Sequence, residues 1–269
     1  MNEWYFEYEI QVNRPGLLGD ISSLLGMLRV NIVTINGIDE VHRGMLLSAE
    51  REESIDRFRS IVSTMEHIHV TKFRQPKLRD HLALRHGHYI PKDSDEKNTF
   101  RFVRSELGIL VDFLAEIFKK DGHKMIGIRG MPRVGKTESI VAASVCANKR
   151  WIFLSSTMIK QTLRNKLLGD EFSTDNVFIL DGVVTRRSGD ERHLQLVREM
   201  MSFPTTKVIE HPDIFVQNSE YTLDDFDYII ELRHHPEEEI TFEILEQNQK
   251  QSDFGSFSGF GGGFDGFNF

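Results

Sequence analysis

Gly130-Met131-Pro132-Arg133-Val134-Gly135-Lys136-Thr137 is the stretch that decides how the rest of the chain is read. It fits G-x-x-x-x-G-K-[ST] at every required position. With glycine at ~7% of residues in ordinary proteins, a chance match in a chain of this size is on the order of 1%. The surroundings agree with the motif. Ile126 and Ile128 alternate before it as in a strand, and Ile140, Val141, Ala143 and Ala147 follow at helical spacing. A glycine loop between a strand and a helix start turns backbone N–H groups towards an anion, with the positive end of the helix dipole behind them. In that arrangement Lys136 reaches the β- and γ-phosphates and the Thr137 hydroxyl is placed for Mg²⁺. Gly130 through Thr137, with Glu138 just inside the helix, are therefore the candidate nucleotide-binding residues, the ligand being ATP or another NTP.

Further along, residues 177–180 (Val-Phe-Ile-Leu) are wholly apolar, as a central parallel strand buried on both faces must be. Asp181 sits at the carboxyl end, where open α/β sheets bind ligands. The pair of motifs resembles the phosphate loop and Walker B strand of P-loop NTPases. That resemblance implies Thr137 and Asp181 as metal ligands, with Lys136 and Asp181 in catalytic roles. The additional-strand ATPases usually place Glu directly after the Asp, and here Gly182 stands there. The remaining acidic candidates are Glu138 and Glu210, each more readily read as a surface residue. Slow hydrolysis or nucleotide-dependent switching fits this departure better than rapid turnover. Arg186, Arg187 and Arg192 follow Asp181. They are read as an arginine finger for a neighbouring subunit, a kinase-type lid, or a solvated basic loop. Arg133 lies inside the phosphate loop and is a further candidate for phosphate contact.

Around these motifs the pattern repeats strand then helix. Strands are expected near 125–129, 151–156, 177–180, 207–210 and 228–232, with 242–245 as an edge. Helices are expected at 136–148, 157–168 and 190–201, giving a mainly parallel sheet covered on both faces. Leu107, Leu110, Val111, Leu114, Ile117 and Phe118 mark a helix leading into it.

The N-terminal segment reads differently. Phe6, Tyr8, Ile10 and Val12 alternate with Glu7, Glu9 and Gln11, a half-buried strand, and Pro15-Gly16 breaks it before a helical run from Leu17 to Leu28. Two more strands, a helix and a last strand give β-α-β-β-α-β in ~70 residues, the ferredoxin-like pattern. Asn13-Arg14-Pro15-Gly16-Leu17-Leu18-Gly19-Asp20-Ile21 followed by Val30-Asn31-Ile32 looks like the start of an ACT domain. That family binds amino acids or similar metabolites, usually at a paired interface. The resemblance implies a ligand site at Asn13, Pro15, Gly16, Leu17, Leu18 and Asn31, and a homo-oligomer. Many members carry Asp where this chain has Asn13.

The fold class is thus α/β: a ferredoxin-like (ACT-like) α+β domain over residues 1–75, a linker at 76–100 partly ordered by 81–84, and a P-loop NTPase domain over 101–250. Residues 251–269 form a Phe/Gly-rich tail. Its last 18 positions hold six Phe and six Gly, no periodicity survives, and disorder is expected. Spaced Phe side chains there suggest docking on a protein partner or, equally, weak self-association. Of 269 residues, 33 are basic and 41 acidic, and the net charge of -8 argues against a general nucleic-acid coat. No apolar stretch approaches the ~18–20 residues of a membrane span. Glu3, Glu7 and Glu9 stand where a secretory signal would be basic. Cys146, the lone cysteine, cannot form an internal disulfide and is read as a buried small apolar residue in a cytoplasmic protein. The 11 histidines show no zinc-protease spacing.

The whole-chain arrangement is similar to a family of uncharacterised proteins from Bacillus and its relatives, the YmfK type. The function expected is a regulatory ATP-binding protein, a slow ATPase or nucleotide switch, with a metabolite-sensing or dimerising first domain. The alternatives are a small-molecule kinase, or a scaffold in which nucleotide is structural and the tail recruits partners.

Overall fold

The computed structural model describes residues 2–92, 98–154, 169–182 and 191–240. The expected helix at 157–168, the edge strand at 242–245, Arg186, Arg187 and the Phe/Gly tail lie outside the described residues. The chain divides into two compact units. One comprises Met1–Arg101, Glu106–Asp121 and Ser139–Arg150, the other Phe102–Ser105, Gly122–Glu138 and Trp151–Phe269.

The first unit begins β1 (Asn2–Ile10), α1 (Leu17–Met27), β2 (Asn31–Gly37), β3 (His42–Ala49), α2 (Glu52–Val62), β4 (Ile68–Arg74). This is the order the alternation predicts, and the strands form an antiparallel sheet ordered β2-β3-β1-β4. Leu17, Ile21 and Leu25 recur every four residues on α1, and Ile55, Phe58 and Val62 form the matching stripe on α2, so each helix buries one face. They join Phe6, Tyr8, Met45 and Leu47 in one core. The Phe6 ring lies 5.1 Å from Phe58, edge to face.

The opposite face of β1 departs from the half-buried strand expected. Glu7 is 1% exposed, because α3 (Leu78–His86) supplies Ala83 and Leu84 to a second core with Tyr5, Ile38 and Leu46. The carboxylate accepts hydrogen bonds from Tyr5 Oη at 2.6 Å, Thr71 Oγ1 at 2.7 Å and Lys72 Nζ at 2.9 Å. Burial alone would raise its pKa, and these donors outweigh burial and hold it below the usual carboxylate range. Val12 lies beyond the end of β1 and is exposed. α3 itself is tied down by Asp80, which takes a fork of hydrogen bonds from Arg74 at 2.5 and 2.9 Å and accepts from the Lys77 N–H at 2.7 Å. It meets α4 (Leu107–Phe118), where Arg85 and His86 both reach Asp112.

The remaining strands are β5 (Thr99–Val103), β6 (Lys124–Gly130), β7 (Arg150–Leu154), β8 (Asn176–Asp181), β9 (Thr206–Glu210) and β10 (Tyr228–Arg233). They form a six-stranded sheet ordered β5-β10-β6-β9-β8-β7. The four central strands are mutually parallel. α5 (Lys136–Cys146) follows β6, α6 (Glu191–Ser202) lies between β8 and β9, and α7 (Pro212–Gln217) follows β9. β5 falls where the linker was expected to end, and the alternation of Phe100 and Phe102, both buried, is its signal. Phe178, Leu180, Leu196, Met200, Ile209 and Phe215 build the main core beside the sheet. Cys146 is exposed, contrary to its reading as a core residue, since it falls on the outward side of the last turn of α5.

Candidate functional site

Parallel pairing sets the site before any side chain is considered. β6 pairs with β9 and β9 with β8, so the carboxyl ends of all three meet at one edge of the sheet. Residue 210 is opposite both Ile128 and Asp181. Open α/β sheets take their ligands at this edge.

Gly130 ends β6 with φ 155°, and a Cβ there would lie 2.5 Å from the carbonyl oxygen of Leu232 in β10. Only a residue without a side chain lets the loop pass so close. The backbone then turns through Arg133, at φ 63°, and Gly135, at φ 112°, into α5. Val134 is fully buried and anchors the loop, while Pro132 and Arg133 are exposed. The Arg133 carbonyl accepts from the Arg104 guanidinium at 2.6 Å.

Lys136 is 8% exposed, and its ammonium folds back over the loop, donating to the carbonyls of Gly130 (2.7 Å) and Met131 (3.1 Å). Burial lowers its pKa, and Glu210 and Asp181 oppose that shift. Thr137 donates its hydroxyl to Glu210 Oε1 at 2.5 Å. Glu210 is 7% exposed, which corrects its reading as a surface residue. Burial raises its pKa, with Asp181 adding to the rise and Thr137 and Lys136 opposing it. Glu138, one residue past Thr137, is exposed as a surface residue would be.

Two features of this edge were not legible in advance. His211 follows Glu210 at φ 57°, is 8% exposed, and donates its N–H to the Ile128 carbonyl at 3.1 Å. Burial, with the Lys136 charge, pushes its imidazole down to about 4. The second is a half-buried charge cluster beside β10. Arg129 forks onto Asp213 with two 2.8 Å bonds and reaches Glu231 at 3.4 Å, and Glu231 in turn accepts from Arg233 at 2.6 Å. Charged residues inside apolar runs (Ile128-Arg129, Ile230-Glu231-Leu232) were the signal available for it.

The loop residues 130–137, Asp181 and Glu210 are therefore brought together. Arg192 lies in α6, and Arg186 and Arg187 are outside the described residues. In the N-terminal unit, a cleft of about 490 Å³ is lined by Tyr8, Asn13, Gly16, Leu17, Leu18 and Arg43 among others. Gly16 caps α1 at φ 85°, and Arg14 pairs with Asp20 beside it. Pro15 and Asn31 do not line this cleft.

The profile of a family described as "Protein of unknown function (DUF3388)" matches residues 70–260, which include every residue of the strand-end site. The chain belongs to that family. It is 70% identical over 257 residues to "Uncharacterized protein YmfK" of Bacillus subtilis (strain 168), covering 95% of this chain and 96% of that one. Among solved structures it is similar to a phospho-2-dehydro-3-deoxyheptonate aldolase of Thermotoga maritima. That match is 10% identical over 94% of this chain and 96% of the other, and its TM-score of 0.18 carries no argument. No helix among the described residues is long and apolar enough to cross a membrane.

Proposed function

We propose that this chain binds a nucleoside triphosphate with Mg²⁺ at the strand-end site and acts as a nucleotide switch or slow hydrolase. The observation that carries the reading is the meeting of four groups at one sheet edge: the Lys136 ammonium, the Thr137 hydroxyl, and the Asp181 and Glu210 carboxyls. The donor set suits the metal, since Mg²⁺ takes oxygen ligands and is bound by few protein groups together with phosphates. Thr137 and Asp181 would hold it. The bound metal supplies charge neutralisation of the phosphate oxygens. Lys136 exchanges two carbonyl acceptors for phosphate oxygens, and the N–H groups at the start of α5 face the same anion. The absence of a glycine Cβ at 130 provides the room the loop needs.

The N-terminal unit, in this proposal, is an ACT-like module that takes a small metabolite or amino acid in the cleft at Asn13 and Gly16–Leu18, or pairs with a second copy. Regulation then requires that the metabolite and the nucleotide each prefer one state of the protein. Calorimetry of ATP with Mg²⁺ tests the central claim. Lys136→Ala should reduce affinity at least ~100-fold, in line with the ~1.5–3 kcal/mol of each charged hydrogen bond lost. Unchanged affinity would remove the site.

A further inference from the structure

Asp181 is followed by a position that has no room for a side chain. A Cβ on Gly182 would lie 2.4 Å from the His211 carbonyl oxygen and 2.7 Å from that of Glu210. The Gly182 N–H also donates to the Glu210 carbonyl at 2.7 Å, which fixes the two strand ends against each other. A carboxylate for handling water therefore cannot come from residue 182. One strand away, Glu210 ends β9 opposite Asp181, and is buried. Its carboxylate is held by the very hydroxyl that a Mg²⁺ ion at this site would require.

We infer that Glu210 is the water-polarising residue of this site, and that its hydrogen bond with Thr137 is a resting position it leaves when Mg²⁺–nucleotide binds. The inference rests on the nucleotide reading above and deepens it. Thr137 and Glu210 satisfy each other through that hydrogen bond. With Thr137 turned to a Mg²⁺ ion, Glu210 would lose its donor and take a water molecule in exchange. The water oxygen bonds to the γ-phosphorus while the bond from that phosphorus to the β–γ bridging oxygen breaks. The bonding pair leaves with the nucleoside diphosphate. Glu210 accepts the proton that the water gives up, and releases it to solvent when it returns to Thr137. Glu210 would thus be both a competitor for Thr137 and the proton acceptor in turnover.

The two roles have opposite effects on binding and turnover, and this separates them from structural support. The full chain is titrated with the β,γ-imido analogue of ATP, with Mg²⁺ and with EDTA, and phosphate release from Mg²⁺–ATP is followed in parallel. Glu210→Gln keeps the shape and an acceptor for Thr137, and should lower phosphate release ~100-fold or more, the usual contribution of a general base. Its affinity should stay within threefold of the unsubstituted protein. Glu210→Ala should also lose release, yet bind the analogue more tightly with Mg²⁺ and no more tightly in EDTA. Glu210→Asp, which retracts the carboxylate by one methylene, should retain part of the release and serves if the alanine variant does not fold. Release within tenfold of normal in the Gln variant overturns the inference, as does affinity lost in step with release. Tight binding without any release by the unsubstituted protein overturns the catalytic role of Glu210 and leaves the nucleotide site standing. Absence of binding by the unsubstituted protein removes both.

Discussion

Gly182→Ala tests the geometry of the strand ends without any assumption about ligand. A methyl group there would stand 2.4 Å from one main-chain oxygen and 2.7 Å from another. Ordinary carbon–oxygen contacts lie near ~3.3–3.6 Å, so the ends of β8 and β9 must part by about 1 Å. Neither neighbour is a flexible side-chain tip. The shift strains the Gly182-to-Glu210 hydrogen bond at 2.7 Å and the His211-to-Ile128 bond at 3.1 Å, which pin the same backbone. Overpacking costs ~1–3 kcal/mol and one weakened buried hydrogen bond adds ~0.5–1.5, so a loss of about 2–4 kcal/mol is expected. The chain has two tryptophans, Trp4 in the first unit and Trp151 in the second. On a Trp4→Phe background, Trp151 fluorescence in urea therefore reports the second unit's transition, and the loss appears as a lower midpoint at unchanged slope. Glu138→Ala, at an exposed neighbour, should stay within ~0.5 kcal/mol. A Gly182→Ala loss of less than ~0.5 kcal/mol would refute the close approach, and with it the reason for excluding a glutamate at 182.

Three further outcomes follow from the same coordinates. Lys136→Ala should abolish nucleotide binding in calorimetry while leaving the urea midpoint of the first unit unchanged. His211 is held at about 4 in the fold against ~6.5 when unfolded, so the unfolded state binds the extra proton between these values. Its contribution, on the order of 3 kcal/mol, is fully present above pH 6.5 and is lost as pH falls towards 4. His211→Asn should flatten the stability profile in that window. Glu7 is also shifted downward, so its contribution is present above the unfolded pKa and disappears as pH falls through the folded one. Glu7→Ala should cost the first unit about 1–3 kcal/mol near neutrality by stranding Tyr5 and Thr71, and urea melts from pH 7 to pH 3 would show the variant and parent converging.

Much of the fold was legible because it rests on local periodicity. Leu17, Ile21 and Leu25 could only be one face of a helix, and the unbroken run Val177–Leu180 could only be a strand covered twice. The failures have a common cause. Glu7 alternates correctly with Phe6 and Tyr8, yet the solvent face assigned to it is covered by a helix from beyond residue 75. Alternation gives the two faces of a strand and is silent on whether a later element will cover the second. β5 gives little signal in the sequence, because its five residues adjoin a polar stretch and its pairing partner β10 lies more than a hundred positions away.

The site divides along the same line. Residues 130–137 are contiguous, so the strand–loop–helix that holds them is readable from the spacing. Glu210 is an acidic residue at the end of a short strand, and nothing nearby in sequence separates it from a solvated one. It is the parallel register of β6, β9 and β8 that sets it opposite Ile128 on one side and Asp181 on the other. Glycine after Asp181 reads in sequence as favouring slow hydrolysis or switching over rapid turnover. The packing adds a physical reason: the backbone of β9 comes too close for any side chain at 182, and the strand that crowds it ends in a buried carboxylate. A carboxylate at the end of the neighbouring strand lies at the same edge of the sheet as Asp181. Under the nucleotide proposal Glu210 would share Thr137 with the metal, and the rate of turnover would depend on how readily that hydrogen bond opens.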